Sequence, residues 1–207
     1  MPGTELMDAS KQMGDELSVA FSLPLYEPSD RKRVSHWASS LSLEHASAVR
    51  LLLANTLVAS ALVAHRAQYE AAVRAVWAFY AATAEHIEKL TADLTLEAEQ
   101  SAKNLAATNE MIRALAKTAP AVAYQVLSSF KESSWGALNS YVHAGIHPLK
   151  RHSKGYPVSL TETVQKHANA IAIVAAMQAA ILTGSQSLVH EIGLFQLKYK
   201  SILPALA

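Results

Sequence analysis

The sequence predicts an all-α protein, an up-and-down helical bundle with long antiparallel helices. Three observations carry that expectation. No Gly or Pro occurs in the 91 residues from Ser29 to Ala119, whereas strand-rich chains need frequent turn residues. Ala supplies 38 residues and Leu 26, and both are strong helix formers. No segment sustains the alternation of a half-buried strand. Helices of ~20 residues joined by short connections favour antiparallel neighbours.

The chain divides into an N-terminal helix with an extended arm, 1–41, and a helical bundle domain, 42–207. A first helix spans Thr4–Ala20, with Thr4 as its cap. The arm Ser22-Leu23-Pro24-Leu25-Tyr26-Glu27-Pro28 holds two prolines that forbid helix. Asp30 caps a short helix carrying Arg31, Lys32 and Arg33, whose charges are expected in solvent. Ser42 opens a helix to Leu53, and Asn55-Thr56 is either a joint or a polar step inside a longer helix. Long helices then cover Val58–Leu90 and Thr95–Lys117, and Pro120 starts another at its first position. Trp135–Ala144 is helical and stops at Gly145, with Pro148 reinforcing the stop. A polar loop, His147–Pro157, follows. Ser159 or Thr161 caps Leu160–Leu182, Gly184 breaks that helix, and Gln186–Ile202 is the last.

Charge and composition exclude several classes. The 207 residues carry 18 Lys+Arg against 17 Asp+Glu, a net +1, too little for a chain coated on nucleic acid. At 51% hydrophobic and 17% charged the chain can bury a core. Without Cys there are no disulfides, thiolate metal sites or cysteine nucleophiles. The N-terminal residues show no basic start followed by an apolar run. The most apolar windows, Leu51–Ala64 and Ala168–Leu182, fall short of a membrane span. The expectation is a cytoplasmic protein with no membrane role.

Two constellations could carry chemistry. On the long central helix Arg66, Glu70 and Arg74 lie four apart and form a ladder. The Glu70→Arg74 order is the favourable one. A carboxylate there either fixes helix register or aims an arginine into a cleft, where its planar charge suits phosphate. Further on, Asn139 and His143 share a helix face, and a histidine in a last turn can act as acid or base. His143 can equally serve as a plain helix cap. Lys150, Arg151, His152 and His147, with Tyr141 nearby, make a basic mouth for a phosphate-bearing ligand. The bland reading of this stretch, and of the acidic run from Ala84 to Glu110, is a solvated face. Converging metal ligands are lacking: His143, His147 and His152 have no carboxylate partner in reach and a helix break between them. No metal and no cofactor are expected. Trp77, Tyr80 and Trp135 could wall a small-ligand pocket, although such aromatics are usually core.

Arg66-Ala-Gln-Tyr-Glu70-Ala-Ala-Val-Arg74-Ala-Val-Trp77 resembles the long-helix signature of bacterial proteins related to the HEPN superfamily (higher eukaryotes and prokaryotes nucleotide-binding). Ser140-Tyr-Val-His143-Ala-Gly145 resembles the helix that ends in that superfamily's histidine. The resemblance touches Ser42 to Gly145. It implies a compact, often dimeric helical bundle used in RNA cleavage, toxin–antitoxin pairs and phage defence. It also implies a metal-independent ribonuclease in which His143 is the acid/base, Asn139 its orienter, and Arg66 or Arg74, aimed by Glu70, the phosphate clamp. The superfamily's arginine position is Leu138 here. Either Arg66, Arg74 or Arg151 substitutes from another element, or the protein does not cut RNA; the alternative is a catalytically inactive protein-interaction module such as an antitoxin or a defence-complex subunit.

Overall fold

The computed structural model describes residues 2–102 and 104–205. Among them ten α-helices follow one another and no strand occurs. They are α1 Thr4–Leu17, α2 Asp30–Ala54, α3 Val58–Tyr80, α4 Ala84–Thr91, α5 Leu96–Ala102, α6 Thr108–Thr118, α7 Ala121–Val142, α8 Ile146–Lys154, α9 Val158–Thr183 and α10 Gln186–Lys198. The result is an all-α helical bundle. No helix of the described residues is long and apolar enough to cross a membrane.

Helices α3 and α9 form the buried centre. Ala61, Ala72, Ala75 and Ala78 of α3 and Ala172, Ala175, Ala176 and Ala179 of α9 are all buried. Small side chains at a contact let helix axes approach closely. Tyr69, Val73, Val76 and Trp77 of α3 fill the space against Met111 and Leu115 of α6 and Leu127 of α7. A second cluster joins Met13 and Leu17 of α1 to Ile192 and Phe195 of α10 across α9.

Buried hydroxyls set the register of α2 on α3. Ser35 Oγ donates to the Ala75 carbonyl at 2.7 Å and Ser42 Oγ to that of Gln68 at 3.0 Å. Residue numbers fall on α3 as they rise on α2. Each bond satisfies a hydroxyl whose burial would otherwise be costly.

Several elements differ from the sequence expectation for identifiable reasons. Helix α1 starts at Thr4, but the capping position is Gly3, with no side-chain bond. Helix α2 is one element from Asp30, because Ser29 Oγ caps it by accepting from the Lys32 N–H. The boundary after residue 41 falls inside it, and Ser42 is a buried mid-helix residue. Arg31 is no solvated start: its guanidinium donates to the carbonyls of Ala78 at 2.6 Å and Ala82 at 2.7 Å. That takes up orphan carbonyls where α3 ends, at Tyr80 and not at Leu90. Thr83 then caps α4 reciprocally with His86. The single helix expected over Thr95–Lys117 is two, of which Lys103 lies outside the described residues. Helix α6 opens where the Glu110 carboxylate accepts from the Ala107 N–H at 2.9 Å. Helix α9 begins earlier than Ser159, after Pro157, with no side-chain cap.

The polar loop expected at His147–Pro157 contains helix α8. Helix α7 runs unbroken from Ala121 to Val142 and closes through Ala144, at φ +50°, and a Gly145 N–H bond to the Ser140 carbonyl at 2.8 Å. A Cβ on Gly145 would sit 2.6 Å from Ser140 Oγ, so only glycine fits the turn. Pro148 does not prevent the restart. It occupies the first turn of α8, where no backbone N–H is required.

Candidate functional site

Helices α3 and α7 meet through one guanidinium. Arg66 on α3 donates from Nη1 to Asn139 Oδ1 of α7 at 2.5 Å and from Nε and Nη2 to Glu70 Oε1 at 3.3 and 3.2 Å. Its plane lies 4.5 Å from the centre of the Trp135 ring. Trp135 and Asn139 are four apart on α7 and therefore on one face. Together they hold Arg66 from two sides while Glu70 balances its charge. The Arg66 side chain is 14% exposed and that of Glu70 38%.

Arg74, two turns along α3, is the opposite case. The sequence spacing favoured a Glu70–Arg74 pair, yet Glu70 turns to Arg66, because Trp135 and Asn139 fix that guanidinium within its reach. Arg74 makes no ion pair among the described residues. Its Nη1 is buried with no hydrogen-bond partner. Burial pushes the Arg74 guanidinium below its usual range, and the Glu70 charge only partly offsets this. A buried N–H donor without an acceptor is costly.

Both arginines border a cleft of about 440 Å³ with Glu70, Trp135 and the segment Leu105–Asn109. That segment ends at the start of α6, whose first backbone N–H groups, at Thr108 and Asn109, have no intrahelical partner. A helix N-terminus carries partial positive charge and favours anions. The cleft thus combines two guanidiniums, one carboxylate and a helix start, with an aromatic wall.

The remaining expected site residues lie elsewhere. His143 caps α7 and is exposed. It lies one turn, about 6 Å along the axis, beyond Asn139. The cleft extends the other way: Tyr69 OH donates to the Leu127 carbonyl at 2.8 Å, so α3 climbs from Arg66 toward Arg74 while α7 descends from Asn139. His143 does not border the cleft. Leu138 is 2% exposed and belongs to the core. Lys150, Arg151, His152 and His147 ride exposed on α8, away from the cleft lining, and Tyr141 is buried beneath them. Trp77 is core, and Tyr80 borders a separate apolar groove of about 390 Å³ between α3, α7, α9 and α10. No group of three metal-ligating side chains occurs among the described residues.

The part missed from sequence is Leu105–Asn109. The signal available was Thr108-Asn109-Glu110, a polar run that opens a helix inside what reads as continuous helix.

A buried histidine sits behind the site. His65 Nδ1 bonds Gln68 Oε1 at 3.0 Å, Gln68 Nε2 donates to the Ala168 carbonyl at 2.8 Å, and Phe130 meets the His65 ring edge-on. Its Nε2 has no partner among the described residues. Burial drives His65 down to about 4, against a smaller upward pull from Gln68. The imidazole is therefore neutral at neutral pH and ties α3 to α9.

No curated protein and no solved structure matches the chain. Its residues 39–205 match a family of unknown function, DUF6988, and the protein belongs to that family.

Proposed function

We propose that this protein is a HEPN-like helical effector that binds RNA through phosphate in the cleft between α3, α6 and α7, and does not cut it. The observation that carries the reading is Arg74: its side chain borders the cleft together with Arg66 and the start of α6, it makes no ion pair among the described residues, and its Nη1 is buried without a partner. A phosphate oxygen there would accept a charge-assisted bond from a guanidinium that has nothing to lose. The meeting of Arg66 with Asn139, 73 residues apart, supports a built rim in place of a chance surface charge. The falling register of α3 against α2 and α7 supports the antiparallel up-and-down arrangement that the HEPN resemblance implies.

Cleavage is the weaker half of the resemblance. The buried Leu138 leaves the motif's arginine position without charge, and Arg66 is engaged by Glu70 and Asn139. His143 lies outside the cleft, so acid–base help would have to come from beyond hydrogen-bond reach of a phosphate held at Arg74. The same Leu138 favours the second reading, a catalytically silent partner subunit of a toxin–antitoxin or phage-defence complex.

Anisotropy of a labelled single-stranded RNA in low salt tests the proposal. Wild type binds, and Arg74→Ala weakens binding by about tenfold or more, the worth of a charge-assisted contact. Arg74→Ala also removes a half-buried side chain, so circular dichroism and urea denaturation check that the variant stays folded. His143→Ala binds like wild type and RNA stays intact with either. Equal affinity in Arg74→Ala, or cutting that disappears with His143, overturns it.

A further inference from the structure

Two exposed surfaces of this chain are unsatisfied in complementary ways. The first is α8. None of its nine residues is buried, and Ile146 and Leu149 are 67% and 65% exposed. Beside them stand Lys150, Arg151 and Lys154, none of which makes an ion pair among the described residues. From Glu132 to Glu162 there is no intervening acid. The second surface is the α4–α5 segment. Leu94 and Leu96 are 104% and 74% exposed. Near them in the chain stand the exposed Glu88, Asp93, Glu97 and Glu99, also without ion pairs among the described residues, while Lys89 of α4 is paired with Glu85.

Single exposed leucines need no explanation. Exposed apolar pairs beside unpaired charges that are basic on one surface and acidic on the other do. We infer that α8 of one chain docks on the α4–α5 segment of a second copy, leucines and Ile146 at the centre and the charges at the rim. A polar rim around an apolar centre is the usual anatomy of a protein interface, and opposed potentials orient the encounter. RNA would satisfy the lysines and arginine of α8 but leave Ile146 and Leu149 in water. The chain itself carries the surface that satisfies both. Reciprocal docking, each basic helix on the other's acidic segment, closes into a two-fold pair. The inference is independent of the cleft and of its ligand.

Charge reversal on each side tests it in sedimentation velocity at micromolar protein. One variant carries Lys150→Glu, Arg151→Glu and Lys154→Glu; the other carries Glu88→Lys, Asp93→Lys, Glu97→Lys and Glu99→Lys. Wild type is a dimer that loosens with salt. Each variant alone self-repels and associates at least about tenfold more weakly. An equimolar mixture of the two restores a dimer, because each now offers what the other lacks. All substituted side chains are exposed, on α8, α4, α5 and the connection that holds Asp93, and circular dichroism checks that both variants stay helical. A monomeric wild type, a wild type growing into open polymers, or a mixture that stays monomeric overturns the inference. So does a monomer whose α8 captures anionic vesicles.

Discussion

The α3–α9 centre and the rim of α4, α5 and α8 treat polar side chains in opposite ways. At the centre, buried polar groups reach across helices. Gln68 bridges His65 to the Ala168 carbonyl, Gln178 donates to Ser35 Oγ, and Asn169 donates to both Ser10 Oγ and the Ile202 carbonyl. On the rim the charges stand in solvent, and the ion pair found there joins neighbours one turn apart, Glu85 and Lys89. The centre therefore has one way to assemble, since moving any helix by a residue would orphan several buried donors. The rim leaves its groups free for something outside the chain. The cleft lies at the seam of the two regimes: Arg66 is bonded as core residues are, and Arg74 is half-buried yet, like the rim charges, makes no ion pair among the described residues.

The largest expected effect breaks the centre. Trp77 is 2% exposed and packs in the main cluster. Trp77→Ala should cost about 3–5 kcal/mol of unfolding free energy, the usual range for removing a large buried aromatic. Urea denaturation followed by helix content measures it. If α3 were a surface helix the midpoint would hardly move.

A smaller effect sharpens the same contrast through pH. His65 is held near 4 in the folded protein, against about 6.5 in an unfolded chain. Between those values the unfolded chain binds the proton and the folded one refuses it. The stability is therefore complete above pH 6.5 and declines as pH falls toward 4. Lowering pH from 7.5 to 5.0 should remove about 2 kcal/mol through this group. His167, also lowered by burial, acts in the same direction. At pH 5.0 most carboxylates remain ionised, so the loss is distinct from acid unfolding. A His65→Leu variant should show a flatter profile over that range in urea titrations, whatever its stability at pH 7.5. An unchanged slope would mean that His65 is hydrated.

How much of this was legible follows the same division. The centre was visible in the alanines and in the absence of Gly and Pro, because those features act locally on helix formation. Gly184 was visible as a break because glycine commonly ends a helix, and the structure needs it there twice over: its φ is +73°, and a Cβ would sit 3.0 Å from Tyr26. Rim boundaries were not visible. Thr83, which ends the run from α3 into α4, is an ordinary residue whose capping works only once His86 folds back on it. The ladder Arg66–Glu70–Arg74 was legible as a spacing but not as a pairing. Its outcome depends on Trp135 and Asn139, about seventy residues away, and no local rule reaches that far. Leu105–Asn109 announced itself only through the polar run Thr108-Asn109-Glu110, and the unpartnered Nη1 of Arg74 has no sequence signature, since it arises from where helices are laid together.

The smallest expected effect concerns the junction where core helix gives way to rim helix. Ala144 holds φ +50°, a left-handed conformation that costs an L-residue about 1 kcal/mol and costs glycine nothing steric. It follows the capping residue His143, and the Gly145 N–H reaches back to the Ser140 carbonyl at 2.8 Å. That is the arrangement in which glycine normally takes the left-handed position. Here the glycine stands one residue later, where the 2.6 Å approach of Ser140 Oγ demands it, and alanine bears the strain. Ala144→Gly should raise stability by a few tenths to about 1 kcal/mol, the relief being partly offset by the greater freedom of glycine in the unfolded chain. Gly145→Ala should lower it, because Ser140 Oγ also accepts from the His147 N–H at 3.1 Å and cannot swing away without releasing α8. Opposite signs from two adjacent substitutions, read in one urea series, would show that the turn is built around the α7 C-terminus. Equal and negligible shifts would mean that α8 is not tied to α7 at all.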